Sequence, residues 1–391
     1  MIPFEEAIEI VEKNVRVLGT EKVKFTESLN RILAQDVHSD MDMPPFDKSA
    51  MDGFACRSED IKNELELIEV IPAGKTPEKK ITPNTCSKIM TGAMIPLGAD
   101  CVIIVEETEE TAENKIKFLK DKTGKNICKK GEDVKAGDKV LEKGVMLTSR
   151  HIAPMAMVGC VEPEVYKLPK IGIIATGDEI VDPQITPASG QIRNTNSYQL
   201  IAQCKSMGID ATYYGVASDE EEVISEFITK AKLENDLILL TGGVSMGDFD
   251  LVPGLLKKAG FNLLFDKVAV QPGKPTVFGV ADDCYVFGLP GNPVSSYLIF
   301  ELFAKTLIYG MMGRTEKVNE VQLELAESVS RKKTVRKAWF PVEVTSDGKI
   351  KKVDYHGSAH INALAGAFGI IHFPVGVSVL EKGSFVNVRQ L

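Results

Sequence analysis

Residues 236–250 read DLILLTGGVSMGDFD. Leu237 to Leu240 are apolar without a break, and the run then meets a glycine pair. A strand wetted on one face alternates apolar and polar residues, so an unbroken run predicts a strand buried on both faces, as in a parallel sheet covered by helices. Two stretches have the same form: IGIIATGDE at 171–179 and CYVFGLPGNPVSS at 284–296. Between them, 194–208 and 220–234 carry helical periodicity, DATYYGVA at 210–217 reads as a strand and VPGLLKKAG at 252–260 as a helix. This βαβαβα alternation predicts a three-layer α/β/α domain. NLLFDKVAV at 262–270, TVFGV and CYVFGL complete it as strands, and PVSSYLIFELFAKTLIYGMMG as a long helix.

Outside this core the chain is richer in strands. Phe4, Ala7, Ile8, Val11, Val15 and Leu18 stand at helical spacing and predict an amphipathic helix over 3–18. RILAQDV at 31–37 reads as a strand, and MDMPPFDKSAMDGFA at 41–55 as a long loop, being dense in Pro, Asp and Gly. From 58 to 137, LELIEVI, CVIIVEE and KIKFL alternate with turn signals, with EETEETAEN as a solvated acidic edge. After Arg314, VQLELAESV, AWFPVEV, GKIKKVDY and SFVNVRQL form a second strand-rich region with a hairpin turn at SDGK.

Composition narrows the class. The chain has 391 residues, 44% hydrophobic and 26% charged, enough for several cores. A formal charge of −9 argues against a general nucleic-acid surface, and Arg331 to Lys333 make only a short basic cluster, read as a solvated face. No apolar run reaches membrane-spanning length and the N-terminus lacks signal-peptide form, so a cytoplasmic location and no membrane partner are expected. Seven scattered cysteines without a CxxC pair predict reduced core residues.

Open α/β sheets bind ligands at the carboxyl ends of their strands. Three strand ends lead into glycine turns with polar residues, and two of them supply carboxylates: Asp178 and Glu179, then Asp248 and Asp250. Converging carboxylates suit Mg²⁺, which takes one or two of them with waters and substrate phosphates. The N–H groups of Gly242, Gly243 and Gly291, with a helix starting near Pro293, would donate to phosphate oxygens. GVSMG also matches the Gly-x-Ser-x-Gly elbow of hydrolases, which makes Ser245 a candidate nucleophile. Against that, the next helix starts only near Pro253, and Asp248 and Asp250 would oppose an oxyanion beside them. Lys274, between prolines in QPGKPTVFG, is a candidate point charge for phosphate or an oxyanion.

Taken together, PPFDKSAMDGFA, IMTGAMIPLGAD, ATGDEI, GQIRNTNSYQL, TGGVSMGDFD, QPGKPTVFG and LPGNPVSS occur in the order found in MoeA-type molybdopterin molybdenumtransferases. The resemblance covers nearly the whole chain. It implies a helix at 1–20 packed on a molybdopterin-binding-like α/β domain at 168–312. It further implies a connecting domain from 21–42 and 138–167, a β-rich lobe at 43–137, and a C-terminal β-barrel at 313–391. The implied reaction inserts molybdenum from molybdate into adenylylated molybdopterin with Mg²⁺, releasing AMP and molybdenum cofactor. A homodimer is implied, with the molybdopterin adenylyltransferase that supplies the substrate as a further partner. By motif, Asp52, Thr91, Glu179, Asp219 and Asp250 match catalytic positions, and Asp178, Asp248 and Asp250 metal positions. Substrate binding falls to Gly242, Gly243, Ser245, Lys274, Pro290, Gly291, Asn292, Pro293 and Ser295, with Arg336 and Ser358 from the barrel. Gln271 stands where many members have lysine and Phe368 where Asn or Asp is frequent. A non-catalytic cofactor-binding scaffold and a hydrolase using Ser245 are the alternative functions.

Overall fold

The computed structural model describes residues 1–243, 251–315, 318–355 and 357–391. The chain divides into two compact units, one made of Met1–Lys22, Leu29–Ala34 and Glu164–Leu391, the other of Val23–Ser28 and Gln35–Pro163.

In the first unit, helix α1 (Phe4–Lys13) precedes a six-stranded sheet. Its strands are β1 (Ile171–Thr176), β2 (Thr212–Ala217), β3 (Leu237–Thr241), β4 (Asn262–Phe265), β5 (Val277–Val280) and β6 (Tyr285–Leu289), in spatial order β2-β1-β3-β6-β5-β4. The first four are mutually parallel, β5 runs antiparallel to its neighbours on both sides, and β4 thereby returns to the direction of the first four. Every residue of β1, β3 and β6 is buried, which is why their sequences do not alternate. Ile174, Ile238, Leu240 and Val286 face α3 (Glu221–Glu234) and α4 (Val252–Lys258) in one apolar cluster. Right-handed crossovers send α2 (Asn196–Ser206) to the opposite face, where Gln199 and Gln203 donate to Pro293 O and Tyr297 O of α5 (Pro293–Ile299) at 3.2 and 3.3 Å. The long helix expected after β6 forms, with a π-helical stretch at Phe300–Ala304 between α-helical Pro293–Ile299 and Lys305–Met311. Glu301, buried in that turn, accepts from Gln203 and Lys305, both at 2.8 Å.

The C-terminal strands run Lys337–Val344, Gly369–Phe373, Phe385–Gln390 and Glu320–Glu324 in lateral order, with Ile350–Lys352 on the other side of the first. A bridge between Leu325 and Ile350 joins the two ends of this path. Leu325, Ala338, Val342, Ile350, Ile371, Phe373 and Val388 fill the interior.

The second unit holds a six-stranded sheet in the order Cys101–Ile104, Gly53–Cys56, Thr85–Ile89, Glu64–Ile71, Lys115–Phe118, Thr108–Ala112. The acidic strand 108–112 lies at its edge and is largely exposed, as its charges require. A Cβ on Gly53 would stand 2.0 Å from Ile103 O, so this strand position admits only glycine. Cys56 and Cys101 face each other across two strands with Sγ atoms 3.6 Å apart, and all seven cysteines are free thiols.

Five expectations change. The stretch 41–55 is not all loop, since Lys48–Ser49 pairs with Ile127–Cys128 and Gly53–Cys56 is an inner strand of the six-stranded sheet. Helix α1 stops at Lys13 rather than continuing to 18, because Tyr285 Oη donates to Asn14 O at 2.6 Å and accepts from Arg16 N–H at 2.8 Å. RILAQDV is not one strand: Leu33 bridges Val165 in the first unit, and Val37–His38 pairs with Lys139–Leu141 in the second. NLLFDKVAV is also split, for β4 ends at Phe265 and Val270–Gln271 pairs in parallel with Lys337–Ala338. Arg331 is no solvated residue, since it donates to Val377 O, Arg336 O and Pro374 O at 2.6–2.8 Å. No helix among the described residues is long and apolar enough to cross a membrane.

Candidate active site

The connection from β1 moves to one side of the sheet and that from β3 to the other, so the switch point falls between these strands. Thr241 at the end of β3 is in register with Ala175 and with Leu289, the last residue of β6, so three adjacent strands open their loops at one level. A cleft of about 780 Å³ lies there, lined by Thr176, Glu179, Arg193, Asn196, Gly242 and Pro290 to Pro293, among others. The glycines are dictated by space. At Gly242, with φ of +97°, a Cβ would stand 2.5 Å from Thr176 O. Gly291, with a nearest atom 3.9 Å from such a Cβ, has no such constraint.

A second pocket of about 340 Å³ shares Pro275, Pro290 and Asn292 with the cleft and adds Lys274, Ser295, Arg336, Trp339 and Ser358. Three features bring these distant residues together. The short parallel pairing of Val270–Gln271 with Lys337–Ala338 fastens the QPGKP segment to the C-terminal sheet. Gly273, with φ of +110°, has no room for a Cβ, which would meet Ile299 at 2.5 Å, and its carbonyl accepts from Thr276 Oγ1 at 2.6 Å. Ser358 clamps the PGNP loop: its carbonyl accepts from Val294 N–H at 3.0 Å and its hydroxyl from Asn292 Nδ2 at 2.9 Å. Arg336 is steadied by donation to Val270 O at 3.1 Å. Buried Trp339 Nε1–H has no acceptor among the described residues.

Two backbone donors expected for phosphate are spent within the fold. Gly242 N–H points to Leu289 O at 3.4 Å, and Val294 N–H in the first turn of α5 goes to Ser358 O. The site's amides are thus fewer than the glycine motif suggests.

Of the expected acidic residues, Glu179 lines the cleft, and Asp178 Oδ1 accepts from Asp219 N–H at 3.1 Å, so these two loops meet. Ser245, Asp248 and Asp250 lie outside the described residues. Among the described residues no three acidic, histidine or cysteine side chains converge as a metal centre. In the second unit, Asp52 and Thr91 adjoin: the carboxylate accepts from Thr91 N–H at 2.6 Å and Thr91 Oγ1 at 2.7 Å. These bonds, the hydroxyl first, hold the Asp52 carboxyl below its ordinary range.

Arg193 and Asn196 were not singled out from the sequence, although both line the cleft. Their signal was position: the segment that carries them, 190–200, leads into the first helix after β1.

Residues 2–159 match the MoeA N-terminal region (domain I and II), and 172–309 the probable molybdopterin binding domain. The molybdopterin molybdenumtransferase of Staphylococcus epidermidis is 36% identical over 405 residues, covering 99% of this chain and 95% of the relative. That of Bacillus subtilis is 36% identical over 406 residues, covering 99% and 93%. The structure of the molybdopterin biosynthesis MoeA protein from Pyrococcus horikoshii OT3 superposes with a TM-score of 0.86 at 30% identity, with both chains fully covered.

Proposed function

Because the chain belongs to the molybdopterin molybdenumtransferase family of molybdenum cofactor biosynthesis, we propose that it inserts molybdenum from molybdate into adenylylated molybdopterin. The reaction is Mg²⁺-dependent and releases AMP and molybdenum cofactor. One observation carries this reading: two compartments adjoin across Pro275, Pro290 and Asn292, and the smaller holds two cations, Lys274 and Arg336. A pterin with its phosphates suits the larger cleft, and a small tetrahedral oxyanion suits a pocket with two cations and the hydroxyls of Ser295 and Ser358.

Each residue then has a task. Lys274 and Arg336 offset the charge of molybdate as it approaches a second anion, a repulsion that the chain's net charge of −9 would otherwise worsen. Pro275, Pro290 and Asn292 form the wall common to both substrates, Gly291 and Pro293 extend it on the side of the larger cleft, and proximity across it replaces a bimolecular encounter. Gly242 and Gly243 line the turn after β3, and a Cβ on either would meet Thr176. Glu179 lines the cleft, and Asp178 and Asp219 stand on adjoining loops beside it; oxygen donors of this kind suit a hard cation. With Asp248 and Asp250 they would hold Mg²⁺, which when bound neutralises phosphate charge. Asp52, kept ionised by Thr91, is assigned to the same reaction from the second unit, and the active species is a homodimer.

The test is AMP release from adenylylated molybdopterin with molybdate and Mg²⁺. Lys274→Ala should raise KM for molybdate by about 10- to 100-fold, the usual cost of a charge-assisted contact. A folded wild-type protein that binds the pterin and releases no AMP would leave a cofactor-binding scaffold in place of the enzyme proposed.

A further inference from the structure

Asn196, the first residue of α2, is buried with 8% of its surface exposed, and it borders the cleft. Its Nδ2 donates to Thr241 Oγ1 at 2.8 Å and to Gly291 O at 2.7 Å. The two acceptors belong to the ends of neighbouring strands, β3 and β6. Both amide hydrogens therefore have fixed partners, and the side chain has no donor left for a ligand.

The bond to Gly291 O has a consequence one atom further along the chain. A peptide unit is planar and trans, so the carbonyl of Gly291 and the N–H of Asn292 point in opposite directions. With Gly291 O drawn onto Asn196, the Asn292 N–H faces away from Asn196. Asn196 borders only the larger cleft, whereas Asn292 borders the small pocket as well, where Lys274, Arg336 and Ser358 stand. The carbonyl of Asn292 is already engaged by Ser296 N–H at 3.0 Å and its Nδ2 by Ser358, while its N–H is a donor still open to a ligand. No acceptor among the described residues takes it.

We propose that Asn196 is a positioning residue that aims the Asn292 N–H at the oxyanion in the small pocket. The inference rests on the function proposed above, since it takes that pocket to be the molybdate subsite. A donor fixed in advance needs no reorganisation when the anion arrives, so it adds to Lys274 and Arg336 a directed contact that flexible cations do not supply. A residue that merely stapled two loops would instead affect the fold and both substrates alike.

The experiment titrates molybdate calorimetrically into wild-type protein and Asn196→Ala, and measures AMP release with each substrate varied in turn. Expected is a molybdate Kd and KM raised about 10-fold or more, the loss of one hydrogen bond to an ion. The KM for adenylylated molybdopterin and kcat at saturating molybdate should stay near wild type, while Tm falls by a few degrees as Thr241 Oγ1 and Gly291 O lose their donor. If Asn196→Ala does not fold, Asn196→Ser carries the same test, because it is neutral and too short to hold both Thr241 Oγ1 and Gly291 O. Unchanged molybdate affinity in a folded variant, or a parallel rise in both KM values, overturns the inference. Wild-type protein that binds molybdate but releases no AMP overturns the proposed reaction, and the binding data then decide the inference alone. Wild-type protein that binds no molybdate overturns both.

Discussion

Two glycines of the site show how little the motif alone says about what each residue is for. Gly242 and Gly291 both sit in loops at the strand ends, and both were expected to offer amides to phosphate. Gly242 holds φ at +97° with Thr176 O where its Cβ would be, while Gly291 is outside the left-handed region and its Cβ would meet nothing nearer than 3.9 Å. Gly242→Ala should therefore lose about 2–4 kcal/mol of stability, the sum of a left-handed backbone and a backbone clash. Gly291→Ala should stay within about 1 kcal/mol of wild type, since its conformation already suits an L-residue. Denaturant midpoints of the two variants decide this, and equal losses would refute the steric assignment. The same reasoning separates Lys274 from Gly273 in one turn: the lysine lines the pocket, and the glycine lets the chain pass Ile299.

Among the elements, β1, β3 and β6 were legible because burial on both faces leaves an unbroken apolar run, and their glycine ends marked the ligand edge of the sheet. What was hidden depended on partners far along the chain. The pairing of Val270–Gln271 with Lys337–Ala338 cannot be read from either segment, yet it brings Lys274 and Arg336 to one pocket. Asn196 was hidden for the same reason, its two acceptors being 45 and 95 residues away. The C-terminal sheet also carries a titration. Burial, aided by Lys337, lowers the pKa of His372 from 6.5, with Glu320 and Glu5 opposing. A base with a lowered folded pKa binds fewer protons folded than unfolded below pH 6.5, so its contribution to stability falls as pH drops from 6.5 towards the folded pKa. Tm should decline over that window, and His372→Phe, which keeps an aromatic ring against Trp339, should flatten the decline. An identical pH profile in the variant would place the effect elsewhere.

At the scale of the whole molecule, the candidate residues are divided between two compact units, with Asp52 and Thr91 in one and the cleft, Lys274 and Arg336 in the other. If the active species is the proposed homodimer and its site draws on both subunits, two impaired variants can repair each other. Asp52→Ala supplies an intact α/β unit and Lys274→Ala an intact β-rich unit. In a mixture re-equilibrated from dissociated subunits at equal concentration, about half of the dimers are mixed, and each contains one site with no substitution and one with both. Assayed at a molybdate concentration below the wild-type KM, activity should return to about a quarter of the wild-type rate, while each variant alone stays about 10-fold or more below wild type. If instead each chain serves its own site, every site in the mixture carries one substitution and no activity returns. The measurement is AMP release before and after subunit exchange, with exchange verified by two distinguishable tags. Failure of verified mixed dimers to recover activity would assign both units of a site to a single chain.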